Sequence, residues 1–198
     1  MNWQSIIRND TEVKTPTQDG FLSEKLFKSR TITIFGEIND TTSRAVTEKL
    51  LALAAESNDP INVYISSPGG HVESGDVVYD IIKFIEPEVR TIGTGWVASA
   101  ATTIYLAAKK ENRFALPNTR FLVHQPHGGA QGVSSDIKIQ AEQIVKMRER
   151  INRLIAAETG QPLERVARDT ERDYWMTAEE AIEYGIVSKV ISSVANLR

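Results

Sequence analysis

Cysteine is absent from the 198 residues, which excludes a disulfide framework and a thiol nucleophile. Histidine is scarce, with three copies, so each imidazole is a candidate base. There is no excess of basic charge: 23 Lys and Arg against 26 Asp and Glu leave a net charge of −3, which offers no electrostatic footprint for nucleic acid. Acidic and basic residues intersperse along the helical stretches, as on a solvated face. Long apolar runs are missing too. The longest, around Trp96 to Ala108, is interrupted by Ser99, Thr102 and Thr103 and is too short for a hydrocarbon layer of roughly 30 Å, so no membrane association is expected. The first residues lack the apolar h-region of a secretory signal. A soluble, cytoplasmic protein with one domain of ordinary size is the expectation.

What is present is a regular alternation. Met1 to about Gly20 is polar, with breakers at Asn9-Asp10-Thr11 and Thr15-Pro16-Thr17, and predicts a mobile arm ahead of one domain over 21–198. Arg30–Phe35 reads as a strand, and Asp40-Thr41-Thr42 offers helix caps before Ala45–Ala55. A second strand, Ile61–Ile65, ends in Ser66-Ser67-Pro68-Gly69-Gly70. The helix Gly75–Ile85 is expected to bury Val77, Val78, Ile81, Ile82 and Phe84, and Val89–Ile92 and Arg120–Val123 read as further strands. Strands alternating with helices predict an α/β fold with a parallel sheet, whose ligands bind beyond the carboxyl ends of the strands. Ser134–Thr159 contains no proline or glycine and spaces Ile137, Ala141, Ile144, Ile151 and Ile155 helically. One helix there would reach about 40 Å at 1.5 Å per residue, against a radius of gyration of about 16 Å, so part of it should project and need a partner.

Gly69-Gly70 and Ser99 both fall at strand ends. Glycine exposes its backbone N–H and tolerates positive φ, so Gly70 can donate to a ligand there. Ala100 opens a run that reads as a buried helix, and its N–H would point to the same place with the helix dipole behind it. Two convergent N–H donors make an oxyanion hole, whose members are each worth about 100- to 1,000-fold in rate. Plainer readings exist, because Gly-Gly is a common turn and a serine before an Ala-rich helix is a common N-cap. His124 ends an apolar strand, where it is a candidate base for Ser99. Pattern does not choose among Asp169, Glu171 and Asp173 as its acidic partner, and the order Ser, His, Asp neither defines nor excludes a triad.

The ensemble decides further. Ser-Pro-Gly-Gly at 67–70, Ala-Ser-Ala at 98–100, Leu-Pro-Asn at 116–118, His-Gln-Pro at 124–126, Arg-Asp-Thr-Glu-Arg-Asp at 168–173 and the stretch Ala178–Val187 together resemble the ClpP family, from about Ser23 to Ile191. The resemblance implies a crotonase-like α/β fold and the proteolytic subunit of an energy-dependent protease. Two stacked seven-subunit rings, or mixed rings with a paralogue, would enclose the active sites. By position it makes Ser99 the nucleophile, His124 the general base and Asp173 its partner, with Gly70 and Ala100 as oxyanion-hole donors. Substrate would lie extended beside Gly69, Gly70 and Pro126. Residues 128–160 become the handle that interlocks the rings, and Glu171 and Arg172 the inter-ring ion pair. The dock for a hexameric AAA+ unfoldase maps to Tyr64, Phe84, Ile92, Phe114 and Leu116. No metal or organic cofactor is implied, since ATP is used by the partner and the substrates are unfolded polypeptides.

The chain departs from the family in places. Ala100-Ala101-Thr102 replaces the usual Met-Gly-Ala, Trp96 is bulky, and His127 follows Pro126 where an apolar residue is common, as a rim residue. His71 reads as structural. Asn62 and Thr94 intrude on the apolar dock, and residues 1–17 lack the usual gate-forming opening, which together suggest weak unfoldase binding and a divergent paralogue in mixed rings. Two other functions follow from the same residues: a mainly structural ring subunit, and a crotonase-like acyl-CoA enzyme, against which a complete Ser-His-Asp set argues.

Overall fold

Thr31–Phe35 alternates threonine with isoleucine, and because a strand turns successive side chains to opposite faces, Ile32 and Ile34 enter the core. This is β1 of a computed structural model that describes residues 18–197. Helix α1 (Gln18–Lys28) precedes it and begins three residues before Phe21, the expected start of the domain. The rest of the expected arm lies outside the described residues. In α2 (Asp40–Glu56), Asn39 caps the N-terminus by accepting from the N–H of Thr42 at 3.0 Å, and Val46, Leu50 and Leu53 form one buried stripe. Then follow β2 (Ile61–Ser67), α3 (Val72–Phe84), β3 (Val89–Ala98), α4 (Ala100–Tyr105), β4 (Arg113–Ala115) and β5 (Arg120–Val123). The chain ends in α5 (Ser134–Thr159), α6 (Leu163–Asp169), β6 (Tyr174–Thr177), α7 (Ala178–Tyr184) and β7 (Lys189–Val190).

The expected α/β fold is present. Strands β1-β2-β3-β4-β7 are parallel neighbours, β5 joins β3 in parallel, and β6 runs antiparallel to β5. The third strand is longer than the expected Val89–Ile92, running on through Gly93 and Gly95 to Ala98. Its register with β2 is regular up to Ile65↔Gly93 and then jumps to Ser67↔Val97. Gly95 takes φ +62°, a conformation that favours glycine, and the bulge lets β3 change partners, from β4 at Thr91–Gly93 to β5 at Trp96–Ala98. Strands β2, β3 and β5 therefore end side by side.

One expectation about burial fails. Helix α3 buries Ser74, Gly75, Val78 and Ile82, whereas Val77 is 47% and Phe84 80% exposed. Ile82 and Phe84 stand about 200° apart around a helix, so one core face cannot take both. Helix α5 spans the stretch predicted for it. Only Ile151, Asn152, Ile155 and Thr159, near its C-terminus, are buried, and the remainder keeps exposed apolar residues at Ile137, Ile139 and Val145.

A buried guanidinium anchors the base of α5. Arg113 donates to the carbonyls of Leu106, Ala108 and Glu158, each at 2.8 Å, and to the Glu158 carboxylate. Glu158 also accepts from Tyr79 Oη at 2.8 Å and pairs with Lys83 Nζ at 2.7 Å, both on α3. Burial opposes ionisation of Glu158. The hydrogen bonds from Lys83 and Tyr79 and the charges of Arg113 and Lys83 together outweigh it and hold the carboxyl below its ordinary range.

Candidate active site

The end of β3 turns sharply. Ser99 has φ 57° and ψ −124°, an uncommon conformation for a residue with a side chain, and it connects the strand to α4. Its backbone is held there by its own N–H donating to Leu122 O at 3.0 Å and by the N–H of Thr102 donating to Ser99 O at 2.9 Å. Thr102 adds a clamp, since its Oγ1 lies 2.9 Å from Val97 O and 3.0 Å from Leu122 O and so ties β3 to β5 beneath the serine. Thr102 was not among the residues expected to form the site. Its signal was a hydroxyl inside an apolar run, which has to find a partner when buried.

His124 follows β5 directly, and its Nε2 lies 2.9 Å from Ser99 Oγ while its Nδ1 lies 2.9 Å from Asp173 Oδ1. The imidazole is 13% and the carboxylate 61% exposed in the isolated protomer. The three acidic candidates separate cleanly by partner. Asp169 accepts from Tyr184 Oη at 3.1 Å and pairs with Arg165, Glu171 is held by Arg148, and Asp173 alone meets the histidine. Two hydrogen bonds from Gln125 fix the loop before Asp173, its N–H to Thr170 O at 2.6 Å and its Nε2 to Glu171 O at 2.7 Å. Thr170 is buried and donates to Asn152 Oδ1 on α5 at 2.9 Å.

The glycine pair is built into the same place. Gly69 has φ +88°, and a Cβ there would come within 2.6 Å of Ala98 O and 2.7 Å of Ser99 Cβ. Ile38 forms a parallel bridge with Gly70, using the carbonyl of Gly69 and the N–H of His71. In such a bridge the N–H of the central residue points the other way, so Gly70 N–H is turned away from Ile38. Ala100 is the first residue of α4, where an N–H has no partner within the helix. Ala100 thus adjoins Ser99 in the chain, and Gly69, the neighbour of Gly70, abuts it in space.

Around this centre, a cleft of about 660 Å³ runs between the His124–Gly128 segment, Ile144 of α5 and Glu171-Arg172-Asp173. His127 sets its ring edge-on to His124, with centroids 4.6 Å apart. A smaller niche of about 20 Å³ adjoins Ser99, with Val72, Pro126, Ile151 and Ile155 in its wall. Trp96, carried outward by the bulge, stacks parallel to Trp175 with centroids 6.4 Å apart, and Arg120 lies over Trp175. Arg172 forms no ion pair within the protomer among the described residues, and its neighbour Glu171 is taken by Arg148.

His71 belongs to a different arrangement. Its Nδ1 is 2.8 Å from Ser74 Oγ, but that hydroxyl donates to Asp40 Oδ1 at 2.6 Å, so Ser74 can only accept from the imidazole and is not activated. Of the expected dock residues, Tyr64, Ile92, Phe114 and Leu116 form one apolar cluster with Ile191 and Leu197, while Phe84 stands apart on α3. Among the described residues no group of His, Asp and Glu is arranged to hold a metal ion, and no helix is long and apolar enough to cross a membrane.

The family described as Clp protease matches residues 17–194. The chain is 54% identical over 193 residues to an ATP-dependent Clp protease proteolytic subunit 3 of Rhizobium etli, which covers 96% of this chain and 100% of that protein. It is 51% identical over 172 residues to a proteolytic subunit 2 of Pseudomonas aeruginosa, covering 87% of this chain and 86% of the relative. Among solved structures, ClpP1 from Listeria monocytogenes superposes with a TM-score of 0.81 at 51% identity, over 89% of this chain and 99% of the other.

Proposed function

The chain belongs to the Clp protease family, and from that premise we propose that it is a serine endopeptidase subunit that cuts unfolded polypeptides inside a compartment. The observation that carries this reading is the continuous Ser99–His124–Asp173 hydrogen-bond chain, with both links at 2.9 Å. His124 Nε2 removes the hydroxyl proton as Ser99 Oγ attacks the scissile carbonyl carbon. The tetrahedral oxyanion accepts from the N–H groups of Gly70 and Ala100, and Asp173 stabilises the imidazolium. Collapse expels the amine, which takes the proton from His124 and leaves an acyl-Ser99 ester. A water activated by the same histidine then hydrolyses the ester. The reaction as proposed needs no metal or organic cofactor. Substrate adds to the site as an extended strand beside Gly69, Gly70 and Pro126, which suits cleavage of many sequences because main-chain hydrogen bonds carry the affinity.

Assembly belongs to the same proposal. The exposed apolar half of α5 needs a partner, and a facing ring of the same chain or of a paralogue supplies it, giving a barrel of two seven-subunit rings. A Clp ATPase feeds the barrel, docking on the cluster of Tyr64, Ile92, Phe114 and Leu116. Arg172, unpaired within the protomer among the described residues, is the inter-ring cation, so Arg172→Ala is expected to shift sedimentation from double to single rings and to lower peptidase activity with it. Unchanged sedimentation together with unchanged activity would reject that coupling.

The test of the function is intact mass after a serine-reactive fluorophosphonate, with native mass on the same sample. One adduct per chain, absent from Ser99→Ala, and a fourteen-subunit mass are expected. No adduct, alone or with a paralogue present, would sink the reading. Gly69→Ala probes the oxyanion side: its Cβ has nowhere to go at φ +88° between Ala98 O and Ser99 Cβ, and displacing the site by about 1 Å costs on the order of 100-fold in kcat. Steady-state kinetics on a fluorogenic peptide measures that loss.

A further inference from the structure

Register aligns Tyr64, Ile92 and Phe114 in one row across β2, β3 and β4, on the face opposite to Val63, Thr91 and Arg113. The row is not open. The C-terminal 3₁₀ turn Val194–Leu197 folds over it, leaving Leu197 7% and Ile92 0% exposed. Among the described residues little else ties the turn to the body of the domain: Arg90 Nη1 donates to Leu197 O at 2.7 Å, while the bonds between Ser193 and Asn196 are local to the turn, and Val194 is 74% exposed. Asn62 stands opposite Arg90 in the β2–β3 register, and its Oδ1 is buried without a hydrogen-bond partner among the described residues. A buried acceptor left unpaired is costly, and the apolar turn supplies it no donor.

We propose that Leu197 is an internal ligand of this cleft, and that the Clp ATPase docks by displacing it. The inference rests on the docking surface assigned above. The occupant that fits is a loop presenting one leucine-sized apolar side chain to the Leu197 position, its carbonyl to Arg90 and its N–H to Asn62 Oδ1. Burial of one leucine favours the closed turn by roughly ten- to a hundredfold. Apparent affinity for any competitor falls by the fraction of cleft that is open, so the closed turn weakens docking by the same factor.

The experiment measures binding of the full-length protein to the nucleotide-loaded Clp ATPase of the same organism by biolayer interferometry, for wild type, Leu197→Ser, Arg90→Ala and Val194→Ser. Leu197→Ser is expected to tighten binding at least tenfold. Arg90→Ala, which frees the Leu197 carbonyl and also removes a contact to the incoming loop, should tighten it less, and Val194→Ser should match wild type. Equal, measurable binding by wild type and Leu197→Ser overturns the displaced turn but leaves the dock standing. Absence of binding by every form overturns the dock itself, and the competition with it. Thermal melts of each form identify a variant that has lost its fold, in which case deletion of 194–198 replaces Leu197→Ser and is read by the same criteria.

Discussion

Asp173→Asn is expected to lower kcat on a short fluorogenic peptide by about 10³-fold while leaving KM near its wild-type value. The amide can present an N–H to His124 Nδ1, which places the imidazole proton on Nε2, where it can no longer accept from Ser99. A fully buried aspartate in this role is worth about 10⁴-fold. Asp173 is 61% exposed in the protomer, so water shares its work and the expected loss is smaller. Asp169→Asn serves as the control, because Asp169 meets Tyr184 and Arg165 and not the histidine. A fall of less than tenfold for Asp173→Asn, or equal losses for the two variants, would remove Asp173 from the triad.

The second large effect concerns stability. Arg113→Met should lower the thermal midpoint by about 10 °C, since breaking a buried ion pair from one side costs roughly 3–5 kcal/mol and a chain of this length loses about 2–4 °C per kcal/mol. The substitution strands the carbonyls of Leu106 and Ala108 and takes one cationic partner from the Glu158 carboxylate, which keeps Lys83 and Tyr79. The pH dependence has a definite sign. Because the folded-state value of Glu158 is depressed, the stability it contributes is present above the ordinary carboxylate range and is lost as pH falls through the lowered value. Calorimetric melts below neutral pH should therefore fall more steeply for wild type than for Glu158→Gln, and parallel curves would count against the linkage.

The alternation of apolar strands and helices gave away the sheet and the limits of α5 because both are local periodicities. Ser99 and His124 were legible as candidates for the same reason: each ends a segment whose character is plain in a few residues. The acidic partner was not legible from pattern, since Asp169, Glu171 and Asp173 share one charge cluster; the family resemblance pointed to Asp173, and the positions of Tyr184, Arg148 and His124 in space tell the three apart. The full length of β3 was not legible, because the register jump that lets the strand run on to Ala98 is a pairing property. The cover that Leu197 places on Ile92 joins residues far apart in the chain, which no window of sequence can register.

Helix α5 touches two worlds at once. Ile151 and Ile155 help wall the niche beside Ser99, and the same uninterrupted 26-residue rod carries Ile137, Ile139 and Val145 out to where another subunit would grip it. A rod clamped at one end would transmit tilt, so a different gripping surface would reset the distance between Ile151, Ile155 and the nucleophile. Taste in peptides would then be jointly owned: the same chain, handed a different neighbour, would favour different cuts without changing a single residue of its own.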